Sequence, residues 1–233
     1  MRILKVAALL AAGVLAAWSS IAVAEAQPPC ADFGGTVDNA QTCRVHVSKP
    51  AYLLDMSFPV DYPDEQALTD YLTQTRDGFV NVAEMPGSRD VPYALDAAAT
   101  RYGSGTPPRG TQSVVVKVYQ SVGGAHPLTW YKTFNYDLAK GAPITLNTLF
   151  VPGGKPFEVI FPIVQRDVQK QLGTDVPISP GGGLDPSNYQ NFAITDDALI
   201  FFFSQGELLP EAAGAMEVSV PRAAVASMLA PGL

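Results

Sequence analysis

TQSVVVKVYQSV (residues 111–122), GGAHP (123–127) and LTWYKTFNYD (128–137) read as strand, corner, strand. Val114, Val116 and Val118 alternate with Val115, Lys117 and Tyr119, so one face is wholly apolar and the other mixed. Beyond the corner, Leu128, Trp130, Phe134 and Tyr136 share a face that Lys132 interrupts. A period of two is the pattern of a half-buried strand. Gly123 and Gly124 permit positive φ and the close approach of another backbone. Pro127 confines the residue before it to extended geometry. The segment therefore predicts an antiparallel hairpin, and its corner carries His126, one of two histidines in the chain.

Working outward, Leu199-Ile200-Phe201-Phe202-Phe203 is a continuous apolar run, expected of a central strand covered on both faces. Residues 191–195 before it and 217–221 after it read as antiparallel neighbours, with Asp196-Asp197 as a tight turn. Val45 to Phe58 and Tyr93 to Tyr102 add two further strands. Helical spacing joins Leu68, Tyr71, Leu72, Thr75 and Phe79, behind Pro63, Asp64 and Glu65, which suit a helix start. A second helical pattern joins Phe157, Ile160, Phe161, Val164, Val168 and Leu172 and stops at Gly173. Pro162 inside it is expected to kink the helix or move its start downstream. A short helix is expected over 221–229. Without regular βαβ alternation, the order of elements predicts an α+β fold: a mainly antiparallel twisted sheet packed against two principal helices, with a short C-terminal helix.

The first residues have the form of a secretory leader. Arg2 and Lys5 precede the uncharged run Val6 to Ala17, and small-residue cleavage sites end at Ala24 and Ala26. The run ends short of the roughly 20 apolar residues of a membrane span, and Gln27-Pro28-Pro29 before Cys30 is not a lipobox. A secreted, extracellular product with no transmembrane anchor is expected. Cleavage after residue 24 leaves a single compact unit over 25–233, with an N-terminal part to residue 110 and a C-terminal part from 111. Loss of Arg2 and Lys5 takes the net charge from −7 to −9, or to −8 if Glu25 also leaves. Such acidity excludes nucleic acid as an expected partner and argues against docking on anionic lipid. A monomer is expected. Cys30 and Cys43, the only cysteines, read as a disulfide in an oxidising compartment. It closes a polar, glycine-rich loop, ADFGGTVDNAQT, that has no ordering signal of its own.

No catalytic residue, metal ligand or cofactor is predicted. Gly103-Ser104-Gly105 lacks the nucleophile-elbow pattern and reads as a loop turn. HExxH and DxDxDG are absent. Gly153-Gly154-Lys155 precedes a proline and is no phosphate loop, and Gly181-Gly182-Gly183 reads as a chain reversal. His126 has two readings. It is a structural residue pinning the corner, or a polar contact at a partner site formed with Gly123, Gly124 and Glu207 or Glu211 of GELLPEAAG. Trp130, Tyr131, Tyr136 and the phenylalanine run read as core or as the lining of an apolar groove.

The stretches PAYLLDMSFPVDYPDEQALTDYLTQTRDGF (50–79), PPRGTQSVVVKVYQSVGGAHP (107–127), IFPIVQ (160–165) and GLDPSNYQNFAITDDALIFFFSQGELLPEAAG (183–214) resemble the mycobacterial secreted immunogenic proteins of the MPT/MPB antigen type. The C-terminal half is similar to the extracellular domain of RsiV-type anti-sigma factors, whose corner reads GGAHG. Resemblance implies an α+β fold, secretion and an antigen without an established reaction, and the RsiV-type relatives, which recognise lysozyme, supply a precedent for binding. The proline of GGAHP departs from that pattern. The expectation is a secreted, non-enzymatic immunogenic protein that binds an unknown host or cell-envelope protein or lipid. The alternatives are a carrier of an apolar ligand or lipid and a cell-envelope hydrolase.

Overall fold

Seven strands form one sheet in chain order: β1 (Thr36–Val37), β2 (Thr42–Lys49), β3 (Tyr52–Pro59), β4 (Tyr93–Ser104), β5 (Thr111–Ser121), β6 (Leu128–Asp137) and β7 (Ala142–Pro143). A computed structural model describes residues 29–87, 91–123 and 126–233. The leader and Gly124 lie outside the described residues. All pairings in this sheet are antiparallel except β3–β4, which is parallel and is bridged by α1 (Glu65–Ala83). A parallel pair needs such a crossover. Four more helices follow, α2 (Leu146–Leu149), α3 (Pro156–Leu172), α4 (Pro180–Leu184) and α5 (Arg222–Val225). A second, three-stranded antiparallel sheet contains β8 (Phe192–Ile194), β9 (Ala198–Phe203) and β10 (Met216–Pro221), with β9 central.

The chain is α+β with a large, mostly antiparallel sheet, and its strands divide into two sheets instead of one. The apolar run of β9 is the reason. Leu199, Phe201 and Phe203 pack with Ile160, Val164 and Val168 of α3. Ile200 and Phe202 point the other way, onto Val115 and Tyr131 of the large sheet. The opposite face of the large sheet packs Leu54, Met56, Leu95, Val116 and Val118 against Leu68, Leu72 and Phe79 of α1. The layers therefore run α1, large sheet, small sheet, α3.

Where the sheets meet, the free edge of β8 is satisfied by side chains. The Phe192 N–H donates to Thr133 Oγ1 (3.1 Å) and the Ile194 N–H to Ser113 Oγ (3.2 Å), while Asn135 Nδ2 donates to the Phe192 carbonyl (2.9 Å). The outer edge of β6 is closed in turn. The Thr133 N–H donates to Asn191 Oδ1 (3.2 Å), the Tyr131 N–H to Ser204 Oγ (3.3 Å) and the Thr129 N–H to Gln205 Oε1 (3.2 Å). Unpaired strand edges invite other strands, and polar side chains placed along them prevent it.

Several local expectations change. Residues 45–58 are two strands, because Pro50-Ala51 turns the chain and Lys49 pairs with Tyr52. Helix α3 starts at Pro156 and runs through Pro162, which lies on its exposed side and contributes no backbone N–H to the helix. It ends as expected at Gly173, with φ 64°. Residues 180–184 are a helical turn capped by Ser179, not a simple reversal. Gly103 and Ser104 end β4 and do not lie in a loop. Cys30 and Cys43 form the disulfide, and the loop between them orders itself. Pro29–Phe33 is a 3-10 turn, β1 pairs with β2, and Asp38 Oδ1 accepts from the N–H groups of Ala40 (2.9 Å) and Thr42 (3.1 Å).

Candidate functional site

The GGAHP corner joins β5 to β6, whose last pair is Gln120 with Leu128. Gly123 adopts φ 70°, which favours glycine, and a Cβ there would crowd the Tyr93 ring at 3.0 Å. His126 is exposed. The loop after β9 comes to the same end of the sheet, where the Gln205 N–H donates to the Thr129 carbonyl (2.9 Å). The two loops that sequence could not connect are therefore neighbours. Their titratable groups are not joined, however. Glu207 Oε2 accepts from the Ser204 N–H of its own loop (2.7 Å), and Glu211 is exposed. Among the described residues no hydrogen bond or ion pair links His126 to either glutamate.

A second group of polar residues lies on the large-sheet face that the small sheet only half covers. Strand register aligns His46, Asp55, Asp96, Tyr119 and Thr129 across β2 to β6. The adjacent row holds Arg44, Ser57, Ala98, Lys117 and Tyr131. Alternation places them there. Cys43, Val45, Leu54, Met56 and Phe58 enter the core, so Arg44, His46, Asp55 and Ser57 face outward. His46 Nδ1 lies 2.6 Å from Asp55 Oδ1, and both side chains are open to solvent, at 68% and 55% exposure. A hollow of about 530 Å³ lies over Arg44, His46, Asp55, Ser57 and Asp96. It adjoins one of about 350 Å³ over Asp96, Lys117, Tyr119 and Thr129, and Ala98 belongs to both. The small Ala98 side chain between Ser57 and Lys117 keeps the floor low.

The electrostatics of this trough are mixed. Arg44 Nε pairs with Asp38 Oδ2 at 2.9 Å. A hydrogen bond from the Thr42 N–H, aided by Arg44, holds the Asp38 carboxyl below its ordinary range. Lys117 Nζ stands 5.8 Å from the centre of the Tyr131 ring. Burial, followed by the Glu217 carboxylate, pushes the Tyr131 phenol up. A carboxylate on Nδ1 fixes an imidazole's orientation and tautomer and leaves Nε2 to accept a proton. Among the described residues no cluster of three or more histidine, cysteine or acidic side chains is arranged to hold a metal ion. The row is not legible from a single strand over 45–58, which puts His46 and Asp55 nine positions apart on one chain. A turn at Pro50-Ala51 was the available signal, since a hairpin closed by Lys49 and Tyr52 brings His46 opposite Asp55.

Other candidates are structural. Ser104 is 7% exposed, bonds Thr111 Oγ1 at 2.8 Å, and lines a cleft of about 240 Å³ that contains neither His46 nor His126. The aromatic residues fill core: Trp130 Nε1 donates to the Tyr71 hydroxyl (2.8 Å), and Tyr131 meets Phe202 at 5.2 Å between ring centres. Beside Phe203, the side chains of Val168, Leu209 and Met216 leave no room for a water molecule. An open cleft of about 410 Å³ lies at the start of α3, between Phe150, Phe157 and Leu184.

A family model described as a protein of unknown function, DUF3298, matches residues 147–223. The chain is similar to Esterase Rv3036c of Mycobacterium tuberculosis, 58% identical over 97% of this chain and 98% of that protein. It is 50% identical to Immunogenic protein MPB64 of Mycobacterium bovis and to Immunogenic protein MPT64 of Mycobacterium tuberculosis, over 97% of this chain and 99% of each. A crystal structure of a DUF3298 family protein from Pseudomonas aeruginosa PAO1 superposes with TM-score 0.55 at 15% identity, covering 86% of this chain and 97% of that one. At that identity the likeness concerns the fold.

Proposed function

The chain belongs to the family of the mycobacterial immunogenic proteins MPT64 and MPB64 and of Esterase Rv3036c, and from that footing we propose that it is a secreted immunogenic protein that works by binding a host or cell-envelope partner. The leader, with Arg2 and Lys5 ahead of an apolar run, and the Cys30–Cys43 disulfide support export to an oxidising compartment. Among the described residues no helix is long and apolar enough to cross a membrane. The observation that carries the binding reading is the junction of Gln205 with Thr129. It brings the exposed corner of Gly123 and His126 to the same sheet end as the loop of Glu207 and Glu211, offering a polar contact surface without an assembled acid–base pair.

Site-specific photocrosslinking tests it. Protein collected from culture medium, with its N terminus at Glu25 or Gln27, carries a photoreactive residue at position 126 or, as control, at position 82 on α1. A partner adduct formed from position 126 and not from 82, and lost in Glu211→Lys, is the expected result. Equal labelling from both positions ends the reading.

A second reading, ester hydrolysis, is favoured by the relative named an esterase, which aligns over nearly the whole of both chains, together with the carboxylate-held imidazole of His46. Immunogenicity is a response of the host and is compatible with either chemistry.

A further inference from the structure

The trough over β2 to β4 holds the one imidazole among the described residues that has a carboxylate partner. Building on the ester-hydrolysis reading, we propose that His46, oriented by Asp55, is the general base that directs water onto short-chain, water-soluble esters bound in this trough. Asp55 Oδ1 occupies Nδ1 at 2.6 Å, so Nε2 is the nitrogen available to a water molecule. The side chain is 68% exposed and the hollow beside it measures about 530 Å³, so water and a small ester reach it without any segment moving. The outward side chains around it, Arg44, Asp55, Ser57 and Asp96, are polar. A hollow of this size takes an acetyl or similarly short acyl group together with the attacking water.

In the reaction Nε2 accepts a proton from water as the water oxygen bonds to the carbonyl carbon. The carbonyl π pair moves onto its oxygen, on the side of Arg44, two residues along the same strand face, whose Nε is held by Asp38 and whose terminal nitrogens make no other hydrogen bond among the described residues. Collapse of the intermediate restores the carbonyl and breaks the bond to the alcohol oxygen, which takes the proton back from His46. The products are a carboxylic acid and an alcohol, and the imidazole is regenerated. His46 is thus the catalytic residue and Asp55 a positioning residue. Among the described residues the competing centres lack one part each: Ser104 is buried against Thr111 without an imidazole, and His126 makes no contact with a carboxylate.

The test uses the full chain and triacetin, an unactivated ester, with acid release followed by pH-stat. A free surface imidazole does not turn such an ester over, whereas it does cleave activated nitrophenyl esters. Wild type is expected to hydrolyse triacetin faster than trioctanoin. His46→Gln should lower kcat by roughly 10²-fold or more, the usual contribution of a general base. Asp55→Asn should lower kcat while leaving KM unchanged, and Ser104→Ala should match wild type. Circular dichroism verifies that each variant is folded, as the exposure of His46 and Asp55 leads one to expect. Absence of any wild-type hydrolysis overturns the ester-hydrolysis reading itself. Wild-type hydrolysis retained in a folded His46→Gln protein leaves that reading standing and overturns the assignment to this trough.

Discussion

Gly183 lies so close to α3 that its missing side chain is part of the packing. A Cβ there would sit 2.1 Å from Cε2 of the Phe161 ring. Gly181, two positions earlier, has nothing within 4 Å of the same point. Gly183→Ala is expected to destabilise the protein by about 1–3 kcal/mol, the usual range for overpacking, and Gly181→Ala to change it far less. Thermal unfolding of the two variants side by side checks the difference. At this scale sequence and structure agree unevenly. The need for glycine at 123 is legible from GGAHP, and the stop at Gly173 from the end of a helical pattern. The need at 183 is not, because Phe161 is distant in sequence and only packing brings it near. His46 was hidden for a related reason: its meaning depends on which residue of β3 stands opposite.

The strands were mostly visible as patterns, and their partners were visible where a short turn fixes the register. The β5–β6 hairpin and the β8–β9–β10 sheet follow from local alternation and the Asp196-Asp197 turn. The β3–β4 pairing spans α1 and has no local signal. Nor does the junction between sheets, where β8 receives side chains instead of a neighbouring backbone. Thr133 is the sharpest probe of that junction. Thr133→Val keeps shape and strand propensity but removes the acceptor for the N–H of the buried Phe192, in a hydrogen bond that is itself part-buried. The expected loss is about 1–3 kcal/mol, the cost of a buried donor left unpaired. Urea unfolding measures the loss, and faster amide exchange at Phe192 locates it.

The N-terminal staple acts on the molecule as a whole. Cys30 and Cys43 are both buried in the core under α1, and they close the loop that carries β1. A Cβ on Gly35 would approach Cys43 Sγ to 2.7 Å, so the chain passes directly over the bond. Replacing both cysteines by serine is expected to cost about 3 kcal/mol in the chain-entropy account of a loop this short. A lower urea midpoint with an intact fold in water is the observation that checks it. Composition and leader made this staple legible. What they could not convey is that the apolar run of β9 serves two cores at once, since a run of this kind names no partner for either face. The dependence of β8 on its neighbours has a practical corollary for anyone dividing the chain. A fragment holding only α2 to α5 would keep its own apolar core yet leave β8 with bare amide and carbonyl groups along one side. It would be sticky, prone to recruit the strands of other copies, and the hairpin of β5 and β6 is in effect its built-in chaperone.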